Sequence, residues 1–107
     1  MTGSVILLPE AKEDLVDLYL YVARHDSTVH ADALLLKLEE KCSSLGNNPE
    51  RGHVVPELKR VFVEGFREIH YNPYRIIFQT VGETVYIHAV LDGRRELQEL
   101  LEKRIFG

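Results

Sequence analysis

The sequence has a single cysteine, Cys42, which excludes an internal disulfide and a cysteine metal cluster and fits a reducing compartment. It has no long hydrophobic run. The N-terminal stretch MTGSVILLPEAKEDL lacks a basic leader region, and its apolar segment Val5–Leu8 is far too short for a signal sequence or a membrane span. A cytoplasmic location without membrane association is the expectation. Positive charge is also scarce: the formal net charge is −4. Proteins that grip a long phosphate backbone usually carry a basic footprint, so no direct DNA binding by this chain alone is expected. Repeats, low-complexity tracts and Pro/Gly/Ser linkers are absent. His25, His30 and His53 are dispersed without metal-ligand spacing, so neither a metal site nor a cofactor is expected.

What remains is ordinary globular material. At 107 residues the chain is sized for one domain, residues 1–107, and 45% hydrophobic with 28% charged residues argues against disorder. Charge is uneven. Residues 1–50 hold four Lys/Arg against nine Asp/Glu, whereas residues 51–107 hold nine against eight. Six of those nine cations, Lys59, Arg60, Arg67, Arg75, Arg94 and Arg95, are the candidates for a local basic cluster.

The chain is organised around FREIHYNPYRIIFQTVGETVYIHAVL, Phe66 to Leu91. Three runs rich in β-branched and aromatic residues, Phe66–Tyr71, Tyr74–Val81 and Thr84–Leu91, are separated by Asn72-Pro73 and Gly82-Glu83. This predicts an antiparallel three-stranded meander. A two-residue turn at Gly82-Glu83 pairs Val81 with Thr84, Phe78 with Ile87 and Ile77 with His88. A turn spanning Tyr71–Tyr74 pairs His70 with Arg75 and Glu68 with Ile77; a three-residue loop there would reverse the faces of Glu68 and His70. Side-chain alternation then puts Ile69, Ile76, Phe78, Val85, Ile87, Ala89 and Leu91 on a core face, with Arg67 near its end. Glu68, His70, Arg75, Gln79, Tyr86 and His88 fall on a polar, titratable face, mixed with Ile77 and Val90.

Ahead of the meander, Ser4–Leu8 has strand character. Pro9 suits the first turn of a helix whose stripe is Ala11, Leu15, Leu18 and Val22, although Leu8 is a poor cap. Ser27 or Thr28 caps a second helix with the stripe Ala31, Leu34, Leu35, Leu38, Cys42 and Leu45, ended by Gly46. Cys42 reads as a small hydrophobe in that stripe. The short link predicts an αα-hairpin packed on the apolar sheet face. Its acids, Asp14 among them, read as a solvated face. Asn47–Arg60 reads as a turn-rich connecting loop, with Val61–Val63 opening the first meander strand early. Asp92 is expected to cap a short final helix with the stripe Leu97, Leu100, Leu101 and Ile105, frayed or ordered against a partner.

The order strand, αα-hairpin, NNPERGHVVPEL loop, meander, DGRREL and LLEKRI tail resembles the ParE/RelE superfamily of toxins from bacterial type II toxin–antitoxin modules, across nearly the whole chain. The resemblance implies an α+β fold in which an N-terminal strand and an αα-hairpin pack with a three-stranded antiparallel meander and a short C-terminal helix. It also implies a cognate antitoxin encoded nearby. It leaves two activities open. ParE-like members inhibit DNA gyrase, and the DGRREL motif is similar to theirs. RelE-like members cut mRNA on the ribosome with basic residues and often a late Tyr or His.

For cleavage, His70 or His88 would be the base, and Arg75 and Arg95 the phosphate clamps. However, the tail after Arg95, ELQELLEKRIFG, holds neither Tyr nor His. The expectation is therefore a non-enzymatic toxin, with Arg67, Arg75, His88, Arg94 and Arg95 as the target-binding set. Ribosome-dependent mRNA cleavage is the alternative, and a member that only binds its antitoxin is a third reading. Each residue also has an ordinary structural role open to it, such as a cross-strand pair of Arg75 with Glu68 or His70.

Overall fold

The computed structural model describes residues 3–107. Its elements follow in the order β1 (Ser4–Leu7), α1 (Pro9–His25), α2 (Thr28–Ser44), β2 (His53–Val54), α3 (Pro56–Lys59), β3 (Phe66–Tyr71), β4 (Tyr74–Val81), β5 (Thr84–Asp92) and α4 (Gln98–Phe106). One five-stranded sheet has the order β1-β5-β4-β3-β2, with β1 parallel to β5 and the other pairs antiparallel. The α+β architecture anticipated from the sequence is present. No helix among the described residues is long and apolar enough to cross a membrane.

Local chemistry explains the helices. Leu8 offers α1 no side-chain cap, and Pro9 at the first turn leaves one fewer N–H to satisfy. Ser27 caps α2, its hydroxyl accepting from the His30 N–H at 3.1 Å. The hairpin lays Ala11, Leu15, Leu38, Cys42 and Leu45 on Ile69, Ile76, Phe78, Val85, Ile87 and Val90 of the sheet. Cys42 is fully packed there, and burial, with Glu39 adding to it, pushes its thiol up to about 12, so it is inert at neutral pH.

The β3–β4 register is the expected one: Glu68 faces Ile77, His70 faces Arg75, and Tyr71 pairs with Tyr74 across a cis Asn72–Pro73 bond. The β4–β5 register departs from expectation midway. Phe78 faces Ile87, but Ile77 faces Ala89 rather than His88, because His88 is the extra residue of a β-bulge. An inserted residue reverses the parity of everything after it. Val90 therefore joins the hairpin-side core, while Ala89 and Leu91 turn to the opposite face.

That opposite face is not the polar surface predicted. It carries a second apolar cluster of Val55, Leu58, Ile77, Ala89, Leu91, Leu97 and Leu101, closed over by α3 and α4. The Asn47–Arg60 segment supplies part of it by forming β2 and α3. The final helix is thus docked, not frayed. It begins at Gln98 without a side-chain cap, and Asp92 is instead the last residue of β5. The turn after α3 runs over residues 60–62, with Phe62 at φ 62° and almost wholly exposed, and Val63 lies outside the sheet, so β3 starts at Phe66.

Asp14 is also not solvated. It is 6% exposed and lies beneath α4. Its Oδ2 accepts from the Val90 N–H at 2.9 Å, and its two oxygens accept from Arg104 at 2.7 and 3.1 Å. Arg104 also donates to the His88 carbonyl at 3.2 Å. One buried ion pair therefore satisfies backbone groups exposed by the bulge and ties α1, β5 and α4 together.

Candidate functional site

The meander gathers His70, Arg75, Arg94 and Arg95 towards one end of the sheet, around the Asn72–Pro73 turn. Cross-strand pairing sets His70 beside Arg75. Gly93 then crosses close by: its N–H donates to the Pro73 carbonyl at 2.8 Å, and a Cβ on it would lie 2.9 Å from Arg75 carbons and from the Pro73 oxygen. Glycine is required there by packing, and the contact delivers Arg94 and Arg95 next to the turn. Arg67 and His88 lie elsewhere. Arg67 is paired with Phe78 towards the other end of β3, and His88 is in the bulge near α4.

Arg75 is the most fully hydrogen-bonded cation of the group. Nε and Nη2 donate to Glu68 at 2.7 and 2.8 Å, and Nη1 and Nη2 donate to Glu57 at 2.7 Å each. These bidentate forks suit the planar guanidinium. Hydrogen bonds from Arg75 hold the Glu57 carboxyl below its ordinary range despite burial. At Glu68, burial works against the charge, but hydrogen bonds from Arg75 and His70 outweigh it and the carboxyl is again held low. Both carboxylates raise the Arg75 guanidinium. A clamp held this way has little left to offer a phosphate.

His70 Nε2 lies 2.6 Å from Glu68 Oε1 and the ring is partly exposed. His53, which the sequence left isolated, arrives from β2, because His53 is the register partner of Glu68. The two imidazoles meet edge to face with centroids 5.0 Å apart. Two elements hold β2 in place. Gly52 sits at φ +87°, where any Cβ would collide with the Glu68 carbonyl, and Arg67 donates to the carbonyls of Arg51, at 3.0 Å, and Gly52. Arg67 is therefore engaged with the loop. The residues missed from sequence, His53 and Glu57, carried no local signal, since both belong to elements of two and four residues.

His88 is half-buried against Phe66, with ring centroids 4.9 Å apart. Burial lowers its pKa, opposed by Glu10 and reinforced by Arg104, so it is neutral at neutral pH. Arg94 is exposed and donates from Nη2 and Nε to Asp92 at 2.7 and 3.0 Å; that contact lowers the Asp92 carboxyl. The Arg95 side chain is exposed and makes no hydrogen bond or ion pair among the described residues. Chemically, this end of the sheet offers an imidazole oriented by a carboxylate and, just past β5, the Arg95 guanidinium, which is free among the described residues.

A family profile described as the ParE toxin of the type II toxin–antitoxin system parDE matches residues 5–97. The chain belongs to the ParE toxin family. It is thus a type II toxin–antitoxin toxin of the ParE/RelE superfamily, and all the candidate residues above lie within the matched span. No curated protein sequence matches significantly.

Solved structures agree on the ParE/RelE-like fold. A chromosomal ParDE toxin–antitoxin system from P. aeruginosa aligns with TM-score 0.68 at 19% identity, covering 83% of this chain and 94% of that one. The RelBE2 toxin–antitoxin complex from Mycobacterium tuberculosis gives 0.63 at 20% identity, covering 86% and 92%. A double arginine-to-alanine variant of E. coli toxin RelE in the free state gives 0.62 at 17% identity, covering 99% and 97%.

Proposed function

We propose that this ParE-family chain acts in the cytoplasm as a non-enzymatic toxin that inhibits DNA gyrase by binding it, and that a cognate antitoxin neutralises it. The observation that carries this reading is the ParE family match over residues 5–97. Two features of the chain support it. No Tyr or His follows Arg95 to serve as a late acid–base group. Arg75, the strongest candidate for a phosphate clamp, commits four of its five N–H donors to Glu57 and Glu68.

Arg95 is the anchor the reading needs: a guanidinium unpaired among the described residues, exposed in the turn after β5, of the type enriched at binding hot spots. Arg95→Ala is expected to cost about 2 kcal/mol of binding, so that roughly thirtyfold more toxin is needed to half-inhibit gyrase supercoiling. An unchanged inhibition curve would remove Arg95 from the target-binding set.

The antitoxin is proposed to lay an amphipathic helix in the groove on the helical hairpin. This groove, about 480 Å³, is lined by apolar Leu7, Leu15, Val16, Leu20 and Leu35, with Lys12 and Glu39 beside them. Val16 and Leu20 are exposed, so Val16→Glu and Leu20→Glu leave the core intact while placing charge in the groove. Complex formation with the antitoxin encoded beside the toxin should weaken at least tenfold by calorimetry. Undiminished affinity would move the antitoxin to another surface.

The second reading, ribosome-dependent mRNA cleavage, is favoured by one observation, the grouping of His53, His70, Glu68 and Arg75. It requires proton transfer by His70 or His88 and phosphate contacts from Arg75 and Arg95. Cutting that persists when all four are Ala would eliminate that site.

A further inference from the structure

Outside the target-binding set, three ligating groups converge. His53, Glu68 and His70 each offer one ligand atom, and these atoms lie within 4.8 Å of one another. His53 Nε2 is 4.0 Å from Glu68 Oε2, and His70 Nε2 is 2.6 Å from Glu68 Oε1. We propose that His53, Glu68 and His70 form a binding site for a single divalent transition-metal ion of the zinc class.

The donor set is the first argument. Two imidazoles and one carboxylate suit borderline ions such as Zn2+ or Co2+ better than hard ions that prefer all-oxygen shells. Three protein ligands leave at least one coordination position open to water or to a partner's side chain.

Geometry is the second argument. Tetrahedral bonds of ~2.1 Å set ligand atoms roughly 3.4 Å apart. The central carboxylate is buried at 2% exposure, while the imidazoles are 58% and 41% exposed at the surface. To reach that spacing His53, at 4.0 Å, turns inward and His70, at 2.6 Å, turns outward, each by less than about 1 Å. The ion would stand between His70 Nε2 and Glu68 Oε1, with His70 ligating as the neutral tautomer whose single proton is on Nδ1.

Support for the ligands is the third. Arg75 holds Glu68 through Nε and Nη2, and Glu57 in turn holds Arg75, an outer layer of the kind that orients ligating carboxylates. Gly52 and Arg67 pin β2 against β3, which fixes His53 across from Glu68. The bound ion would link β2 to β3 beside α3.

The test uses the full-length, tag-free chain stripped with chelator, titrated with Zn2+ by calorimetry and with Co2+ by visible absorption. One ion per chain is expected, with a Co2+ spectrum showing nitrogen and oxygen ligation. His53→Ala and His70→Ala should each weaken binding at least tenfold, and the double variant should not bind. His25→Ala/His30→Ala should bind as wild type does. Zn2+ should raise the Tm of wild type and leave that of the double variant unchanged.

Because both imidazoles are exposed, the variants are expected to keep their fold, checked by circular dichroism. In wild type itself, imidazole NMR should show Zn2+ shifting His53 and His70 alone. Absence of saturable binding, binding that survives in the double variant, or shifts confined to His25 and His30 would each overturn the site.

Discussion

Asp14→Ala is expected to lower the unfolding free energy by about 3–5 kcal/mol, the usual cost of leaving one member of a buried ion pair without its partner. Asp14 and Arg104 are 7% and 14% exposed at their side chains, so solvent cannot replace the lost contact cheaply. Three losses coincide. The Arg104 charge stays between α4, α1 and β5 opposite only the exposed Glu10, the Val90 N–H loses its acceptor, and the bulge at His88 loses a brace. A typical domain has only about 5–15 kcal/mol in total, so this change removes a large fraction. Urea denaturation of Asp14→Ala, Arg104→Met and the double variant checks it. The double variant should be markedly more stable than the sum of the singles predicts, because apolar replacement of both partners strands no charge. Additive losses would show that the pair is not a coupled unit.

The second large effect belongs to Arg75. Arg75→Met keeps much of the volume but leaves Glu57 and Glu68 facing each other while 13% and 2% exposed, and about 3–5 kcal/mol is the expected loss at neutral pH. The pH dependence has a defined sign. Both carboxyls are held below their ordinary range in the folded chain by Arg75. The stability they contribute is therefore complete above the unfolded glutamate value of about 4.3, and it is lost as pH falls through their lower folded values. The variant lacks that contribution, so the difference between the two proteins should be largest above about pH 5 and shrink as the carboxyls protonate. Denaturant melts in chelator from acid to neutral pH provide the measurement. A difference that stays constant into acid would contradict the assignment. His88 acts in the same direction at higher pH: its lowered folded value means that stability declines as pH drops below about 6.5, the unfolded histidine value.

Much of the fold could be read from the residues because it is written in short-range patterns. The 3.6-residue stripes of α1 and α2, the cap at Ser27, and the two turns that set β3, β4 and β5 each depend on neighbours in sequence. What escaped is long-range. The His88 bulge changes parity by one residue, and nothing in the alternation of Tyr86–Leu91 announces it, since Ile87, Ala89, Val90 and Leu91 satisfy either phase. Its stabilisers, Asp14 and Arg104, are 90 residues apart. Asp14 did carry one overlooked signal: three residues after Ala11 and beside Leu15, it lies on the apolar stripe of α1, where an acid needs a buried partner.

The candidate site divides along the same line. His70 and Arg75 were paired correctly by turn geometry, and the Arg94-Arg95 segment follows from where β5 ends. The carboxylates that engage Arg75 were only half visible, Glu68 as a strand neighbour and Glu57 not at all. His53 reached the site only through a two-residue strand that no periodicity can report. The structure thus leaves Arg95 exposed while tying Arg75 and Arg67 into the fold.

The claim that the chain acts by binding gyrase is tested most directly by one purified sample divided between two assays, gyrase supercoiling and mRNA cleavage on programmed ribosomes. The account predicts inhibition of supercoiling at micromolar toxin, relieved by the antitoxin, with mRNA left intact on the ribosome. Cuts in the ribosomal A site together with unimpaired supercoiling would contradict it.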